Sequence, residues 1–365
     1  MKKKLEISTN QFICLIAGYT LILLEIRYPS VVASKTNQNA WLVPFFSSIY
    51  PIIFFTLYWF IYKKHPKKNI FAINNILLGK FLGTIFNFTF AIFLFCYGAI
   101  HYAAISLIIN TTIVWYYNIL QMIFLITVIG VICAALFDIE PLLKISQISL
   151  YIVIFVYLLL FLNLRDGSIT NILPILIGTS PKLLLKSTYT GIFMFAGFET
   201  FMIYLPYLKN KQDYKKIAIS IILILVLITS WLTFVCVFYF GHETLTVFYF
   251  PVLNYISSIK VPIINNFAFI FIVLSSVNAF KNSSVFFFNF IYLIPEKFRG
   301  KFKYLVLLIL AVPLYFATKP LTDMILLDSF INKVFLPLTL CIFFNIIILF
   351  IVTLRRNSNE KKDSI

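Results

Sequence analysis

The sequence predicts an all-α polytopic membrane protein of about ten transmembrane helices. They form two inverted five-span repeats in which helices 1 and 6 are broken. Three observations predict it. Hydrophobic residues make up 61% of the 365 residues and charged residues only 12%, about half the charged fraction of a soluble domain. Runs of about 20 apolar residues, the length that crosses a bilayer as a helix, recur from end to end. Two glycine motifs stand at mirrored places in two of these runs. The short alternating segments of a membrane barrel do not dominate.

The chain opens on "MKKKLEISTNQF", basic and polar, and leads straight into a full span, so no cleavable signal peptide is expected. The spans fall at about 11–31, 41–62, 80–108, 119–137, 145–164, 187–206, 216–240, 263–294, 303–318 and 332–354. Spans three and eight exceed the bilayer and are expected to tilt or project. Loops and tails are too short to bury a core. The whole chain, 1–365, therefore reads as one transmembrane domain. Its repeats cover roughly 11–164 and 187–354, with short tails at 1–10 and 355–365.

The net charge of +17 and a mean hydropathy of +0.96 invite two different readings. Distribution decides between them. Lysines and arginines cluster between apolar runs, at Lys2–Lys4, Lys63–Lys68, Lys209–Lys216, Lys297–Lys303 and Arg355–Lys362. With the N-terminus inside, twenty basic residues fall in inside segments and seven in outside segments. That bias places both termini in the cytoplasm and leaves no accessible basic surface for nucleic acid. Lys80 and Lys281 are read as lying near inner span ends, where their ammonium groups reach the headgroups. The cysteines (Cys14, Cys96, Cys133, Cys236 and Cys341) stand alone in apolar runs and read as small hydrophobes.

Span one contains "LIAGYTLILLEIRYP" and span six "MFAGFETFMIYLP". Each has Ala-Gly and an aromatic, then Glu, then Pro. Gly18 and Gly197 are 179 residues apart, and each lies about ten residues into its span, near the midplane at 1.5 Å per residue. Mirrored, interrupted helices are the mark of inverted repeats around a central site. A break in lipid is tolerable only where the freed N–H and C=O groups line a cavity or meet a ligand.

The ordered pieces "ISTNQF", "RYPS", "NAW", "LLGKFLG", "LPILIGTSPKLLLKS", "FAGFET", "YLPYLKNKQDYKK" and "FGHETLTVFYFPVLNYI" cover nearly the whole chain. In that order the chain resembles the B subunit of nutrient germinant receptors, the GerAB/GerKB-type spore germination proteins. These belong to the amino acid–polyamine–organocation superfamily with the LeuT-like 5+5 fold. Asn39 replaces the family's usual Asp, and "NNFAFIF" from Asn265 replaces an acidic, Arg-containing start to span eight. The resemblance implies a small-molecule germinant, an amino acid being expected. It also implies A-type and C-type receptor subunits as partners and a place in the spore inner membrane.

In that fold the pocket lies between spans one, three, six and eight. The expected ligand-binding residues are Ala17, Gly18 and Tyr19 in span one, Tyr97 and His101 in span three, Ala196, Gly197, Phe198 and Glu199 in span six, and Ser275 and Ser276 in span eight. Backbone groups at the breaks would hold a zwitterion, with Tyr19 and Phe198 as apolar wall. Glu199 has two roles open to it: meeting an ammonium group or proton, or fixing the break by hydrogen bonds. His101 is read as an outer-vestibule residue or a hydrogen-bonded helix residue. Ser275, Ser276 and Asn278 either face the pocket or bond across helices. Glu25 and Arg27 are either gate partners of other spans or interface anchors.

No catalytic constellation, phosphate loop, metal spacing or cofactor motif is present, and His65, His101 and His242 are scattered. The expectation is a receptor subunit, with a proton- or ion-coupled amino acid permease as the alternative. A membrane transferase is disfavoured because the inner loops are almost purely basic.

Overall fold

The computed structural model describes residues 5–21, 27–112, 116, 118–177, 179–259 and 267–362. Among them the chain is helical, with a single isolated bridge between Ile7 and Leu208. The helices in order are α1 (Thr9–Thr20), α2 (Tyr28–Thr36), α3 (Val43–Ser47), α4 (Ile49–Lys64), α5 (Ile70–Thr112), α6 (Ile119–Leu136) and α7 (Ile139–Leu158). The second half holds α8 (Pro181–Gly191), α9 (Phe201–Tyr204), α10 (Tyr214–Phe240), α11 (His242–Val247), α12 (Pro251–Ser257), α13 (Phe267–Leu293), α14 (Glu296–Thr318), α15 (Met324–Phe330) and α16 (Leu336–Lys362). A π turn, Ile331–Phe335, joins the last two.

Eight helical segments are long and apolar enough to cross a membrane among the described residues. The two remaining spans do not reach that length within the described residues. Span one consists of α1 and α2, with 22–26, and so Glu25, outside the described residues. Span six runs from α8 through short 3-10 turns to α9.

Local chemistry fixes the ends. Ser8 and Gln11 form a capping box on α1: the Ser8 hydroxyl accepts from Gln11 N–H, and the Gln11 side chain accepts from Ser8 N–H at 3.2 Å. Ile7 N–H donates to Tyr207 at 2.8 Å and Lys209 N–H to Ile7 at 2.9 Å, so the start of span one is tied to the end of span six. In α5 the backbone turns at Gly79, where φ is +79°, a conformation glycine adopts without penalty. The kink separates a short leading helix from the long apolar segment that starts at Lys80.

Three boundaries differ from the sequence expectation. Span six begins at Pro181, not 187, because Ser180 caps α8 by accepting from Leu183 N–H. Lys182 and Lys186 thus sit on a helix rather than in a loop, and Lys35 Nζ reaches Thr190 at 2.6 Å. Span nine begins at Glu296, and span ten begins at Met324 with α15.

Aromatic and aliphatic side chains fill one continuous interior. The exposed surface of the long helices is apolar too, with Phe81, Phe88, Phe124, Leu227 and Ile309 facing outward. Residues hydrophobic all round are what a helix needs when protein lies on one side and lipid on the other.

Candidate functional site

The helix-six break is built by three consecutive choices. Ala196 is extended (ψ 140°) and Gly197 is left-handed, with φ at +106°. A Cβ on Gly197 would stand 2.5 Å from the Tyr97 hydroxyl, so only glycine fits. The Glu199 carboxylate then folds back on the break. Its Oε2 accepts from Gly197 N–H at 2.7 Å and its Oε1 from the Tyr50 hydroxyl at 2.5 Å. The Thr200 hydroxyl donates to Gly197 C=O at 2.7 Å. Glu199 is fully buried. The freed N–H and C=O of the break are therefore satisfied by the chain itself, which is the second of the two roles open to Glu199.

The helix-one interruption does not fall at Gly18. α1 runs through Gly18 to Thr20, and Leu21 N–H still donates to Ala17 C=O. The physical reason is that glycine permits a break without forcing one. At this level two carbonyls of α1 also accept from side chains. The chain supplies partners from other spans. Gly18 C=O accepts from Lys281 Nζ and Asn282 Nδ2, each at 3.3 Å, and Tyr19 C=O accepts from the Tyr97 hydroxyl at 2.9 Å.

Lys281 overturns a second expectation. It does not reach for an inner interface. It lies 4% exposed near the middle of α13, with its ammonium on the end of α1. Twelve residues separate it from Leu293, the inner end of α13. At 1.5 Å per residue that is about 18 Å, beyond the reach of a lysine side chain.

Tyr97 joins the two interruptions, bonding the end of α1 and packing its ring over Gly197. Tyr19 lies 5.1 Å from Tyr97 between ring centres, and His101 lies 6.3 Å from Tyr19 and 6.4 Å from Tyr97. His101 is buried, not open to an outer vestibule. Among the described residues both its ring nitrogens and Asn282 Oδ1 are buried with no hydrogen-bond partner, and the buried Tyr19 hydroxyl has only Asn289 beside it. Buried polar atoms are rarely left so, and a cluster of them calls for water or a ligand.

Other expected residues point elsewhere. Phe198 packs against Tyr50, Phe54 and Phe55 of α4, at ring distances of 5.0–5.5 Å, and forms no wall with Tyr19. Ser276 bonds back to Ile272 C=O in its own helix, and Asn278 accepts from Ser149 of α7. The Ser275 side chain lies outside the described residues. Ala17 and Ala196 contribute backbone only. Arg27 pairs with Asp328 at 2.5 Å and lies over the Tyr249 ring, linking span one to span ten.

Sequence reasoning missed Tyr50, Lys281, Asn282 and Asn289. One signal was available for Lys281: a cation far inside an apolar run is a functional residue by default.

The comparisons agree with this geometry. A Na+-coupled sialic acid symporter, solved in a substrate-bound outward-open state, superposes with a TM-score of 0.62 at 12% identity, over 91% of this chain and 78% of its own. That likeness shows the LeuT-like fold. Among curated proteins, none matches the chain. The model of the spore permease family, described as spore germination protein, matches residues 6–324. The apolar helices and the family indicate a multi-pass membrane protein, and family and fold resemble membrane transporters or receptors rather than enzymes. The match spans most of the chain, and the chain belongs to the spore germination protein family.

Proposed function

We propose that this protein is a germinant-sensing subunit that binds a small nutrient, an amino acid being the expected class, and triggers spore germination. The observation that carries the reading is the under-satisfied polar cluster of Tyr19, His101, Asn282 and Asn289 beside the Gly197 break. Unsatisfied buried donors and acceptors are the raw material of a binding site. In this reading Tyr19, Tyr97 and His101 line the ligand, Gly197 and Glu199 hold the backbone open around it, and Gly18 presents its carbonyl. The repeats 11–164 and 187–354 are the two halves that shift on binding. The signal passes to A-type and C-type subunits in the spore inner membrane, with both termini cytoplasmic. The lysine-rich inner loops support that orientation.

A second reading is a proton- or ion-coupled amino acid permease, supported by the likeness in fold to a Na+-coupled symporter. The two separate by experiment. Thermal-shift measurements on the purified protein with each of the twenty amino acids are expected to show stabilisation by one or a few. His101→Ala and Gly197→Leu should weaken that binding by about tenfold or more, the loss of roughly one to two hydrogen bonds. No stabilisation by any amino acid, or unchanged affinity in both variants, overturns the pocket. Gradient-driven accumulation in vesicles would assign the permease reading.

A further inference from the structure

A second polar feature lies away from the Gly197 break, where the loop between α4 and α5 meets the end of α13. A cavity of about 550 Å3 opens there between that loop, the tail of span six and the start of α14. Three cations line it, Lys67, Lys68 and Arg299, against one carboxylate, Glu296. Arg299 is held in a fixed orientation. Its guanidinium lies 4.1 Å from the centre of the Tyr292 ring and 5.5 Å from that of Tyr207. Its Nη2 donates to the Tyr207 hydroxyl at 2.5 Å and to Ile294 C=O at 3.3 Å. Both acceptors are neutral, and Nε is buried without a partner. Among the described residues neither Glu296 nor any other carboxylate lies within 4.0 Å of the three cations. The facing wall is also fixed. Asn69 Oδ1 accepts from Ala72 N–H at 3.0 Å while its Nδ2 donates to Tyr292 C=O at 3.5 Å, which ties the start of α5 to the end of α13.

A preorganised guanidinium with two lysines beside it is the chemistry that recognises phosphate: arginine supplies paired N–H donors and lysine a mobile point charge. The cavity is larger than a bare phosphate needs, and Phe71 and Leu293 line part of the remainder, so the ligand carries an organic group on its phosphate. We propose that this cavity binds the phosphate of a phosphate ester, with Arg299 gripping its oxygens and Lys67 and Lys68 compensating its charge. Such an ester has two sources, a phospholipid headgroup or a small ester in solution. Tyr207 forms one wall, and its carbonyl accepts from Ile7 N–H. An occupied cavity therefore braces the joint between span six and the segment before α1.

The test is the melting temperature of the full-length protein in phosphatidylcholine nanodiscs, in two arms. In one, glycerol 3-phosphate is titrated against sodium chloride at equal ionic strength. In the other, phosphatidylglycerol replaces part of the phosphatidylcholine. A saturable rise of several degrees is expected. A rise with glycerol 3-phosphate assigns the soluble ester, and a rise with phosphatidylglycerol alone assigns the headgroup. The double variant Lys67→Gln/Lys68→Gln changes two exposed side chains, so it should melt like wild type in plain phosphatidylcholine and lose most of the rise. Arg299→Gln should abolish the rise. Arg299→Lys should keep only part of it, because an ammonium retains the charge but not the paired donors. No rise in either arm, or an undiminished rise in the lysine double variant or in Arg299→Gln, overturns the proposal. The lysine double variant decides even if Arg299→Gln fails to fold.

Discussion

Spans one and six are held at mid-membrane by side chains of opposite polarity. At the helix-six break the exposed group is an N–H, and the chain answers with a carboxylate from two residues away, Glu199. Near the end of α1 two carbonyls accept from the Lys281 and Asn282 side chains of α13 and from a hydroxyl of α5. The first solution is local and the second spans most of the chain. A local cap forms as soon as the turn forms. A distant cap exists only when spans one, three and eight are assembled, so it reports on their relative position. The difference teaches which interruption is a fixed scaffold and which is able to sense movement.

The contrast is broken most sharply at the glycines. Gly197→Ala places a Cβ 2.5 Å from the Tyr97 ring in a left-handed backbone. Strain and overpacking together should cost about 2–5 kcal/mol, read as a large fall in melting temperature of the purified protein. A variant as stable as wild type would mean that the helix-six turn is not fixed as described. Next comes Glu199→Ala, which strands Gly197 N–H and the Tyr50 hydroxyl in the interior. The expected loss is about 2–4 kcal/mol, and Glu199→Gln should retain part of it because an amide oxygen still accepts one of the two bonds. Equal losses in the two variants would assign the carboxylate's charge, not its acceptor geometry, as the important property. The smallest effect is expected at Gly18→Ala. The helix is regular there, so alanine gains about 1 kcal/mol of helix propensity. That gain is offset by a crowded Lys281 Nζ, the flexible end of a side chain 3.1 Å away. A net change within about 1 kcal/mol would confirm that the two glycines do different work, and a loss as large as at Gly197 would erase the distinction.

Much of this was legible in the sequence, and the residues explain where legibility stopped. The spans follow from apolar length, because lipid imposes it directly. Gly197 and Glu199 could be read together because both ends of their interaction lie within three residues. Ser180-Pro181 carried a helix start that its neighbouring lysines disguised as loop. The end of α1 was not legible: a glycine in a membrane helix is as compatible with continuity as with a break. The Lys281–Gly18 bond joins residues 263 positions apart, and the Tyr50–Glu199 bond joins residues 149 apart. Neither pairing is encoded in local pattern, since each requires the folded arrangement of spans before the partners meet. Asn278 takes the second of the two roles read for it, a bond across helices with Ser149, while the Ser276 hydroxyl bonds its own backbone.

The parallel pairing of Ile7 with the Tyr207–Lys209 backbone gives one end of the helix bundle a mechanical linkage. The segment before α1 and the tail of the sixth span are clipped by two backbone hydrogen bonds, and the Thr9 hydroxyl adds a 2.5 Å bond to Asp213 at the entrance to α10. Pulling on one lever therefore drags the other. A neighbouring polypeptide that grips the segment before α1 would hold a handle on the deep interior without ever entering the bilayer.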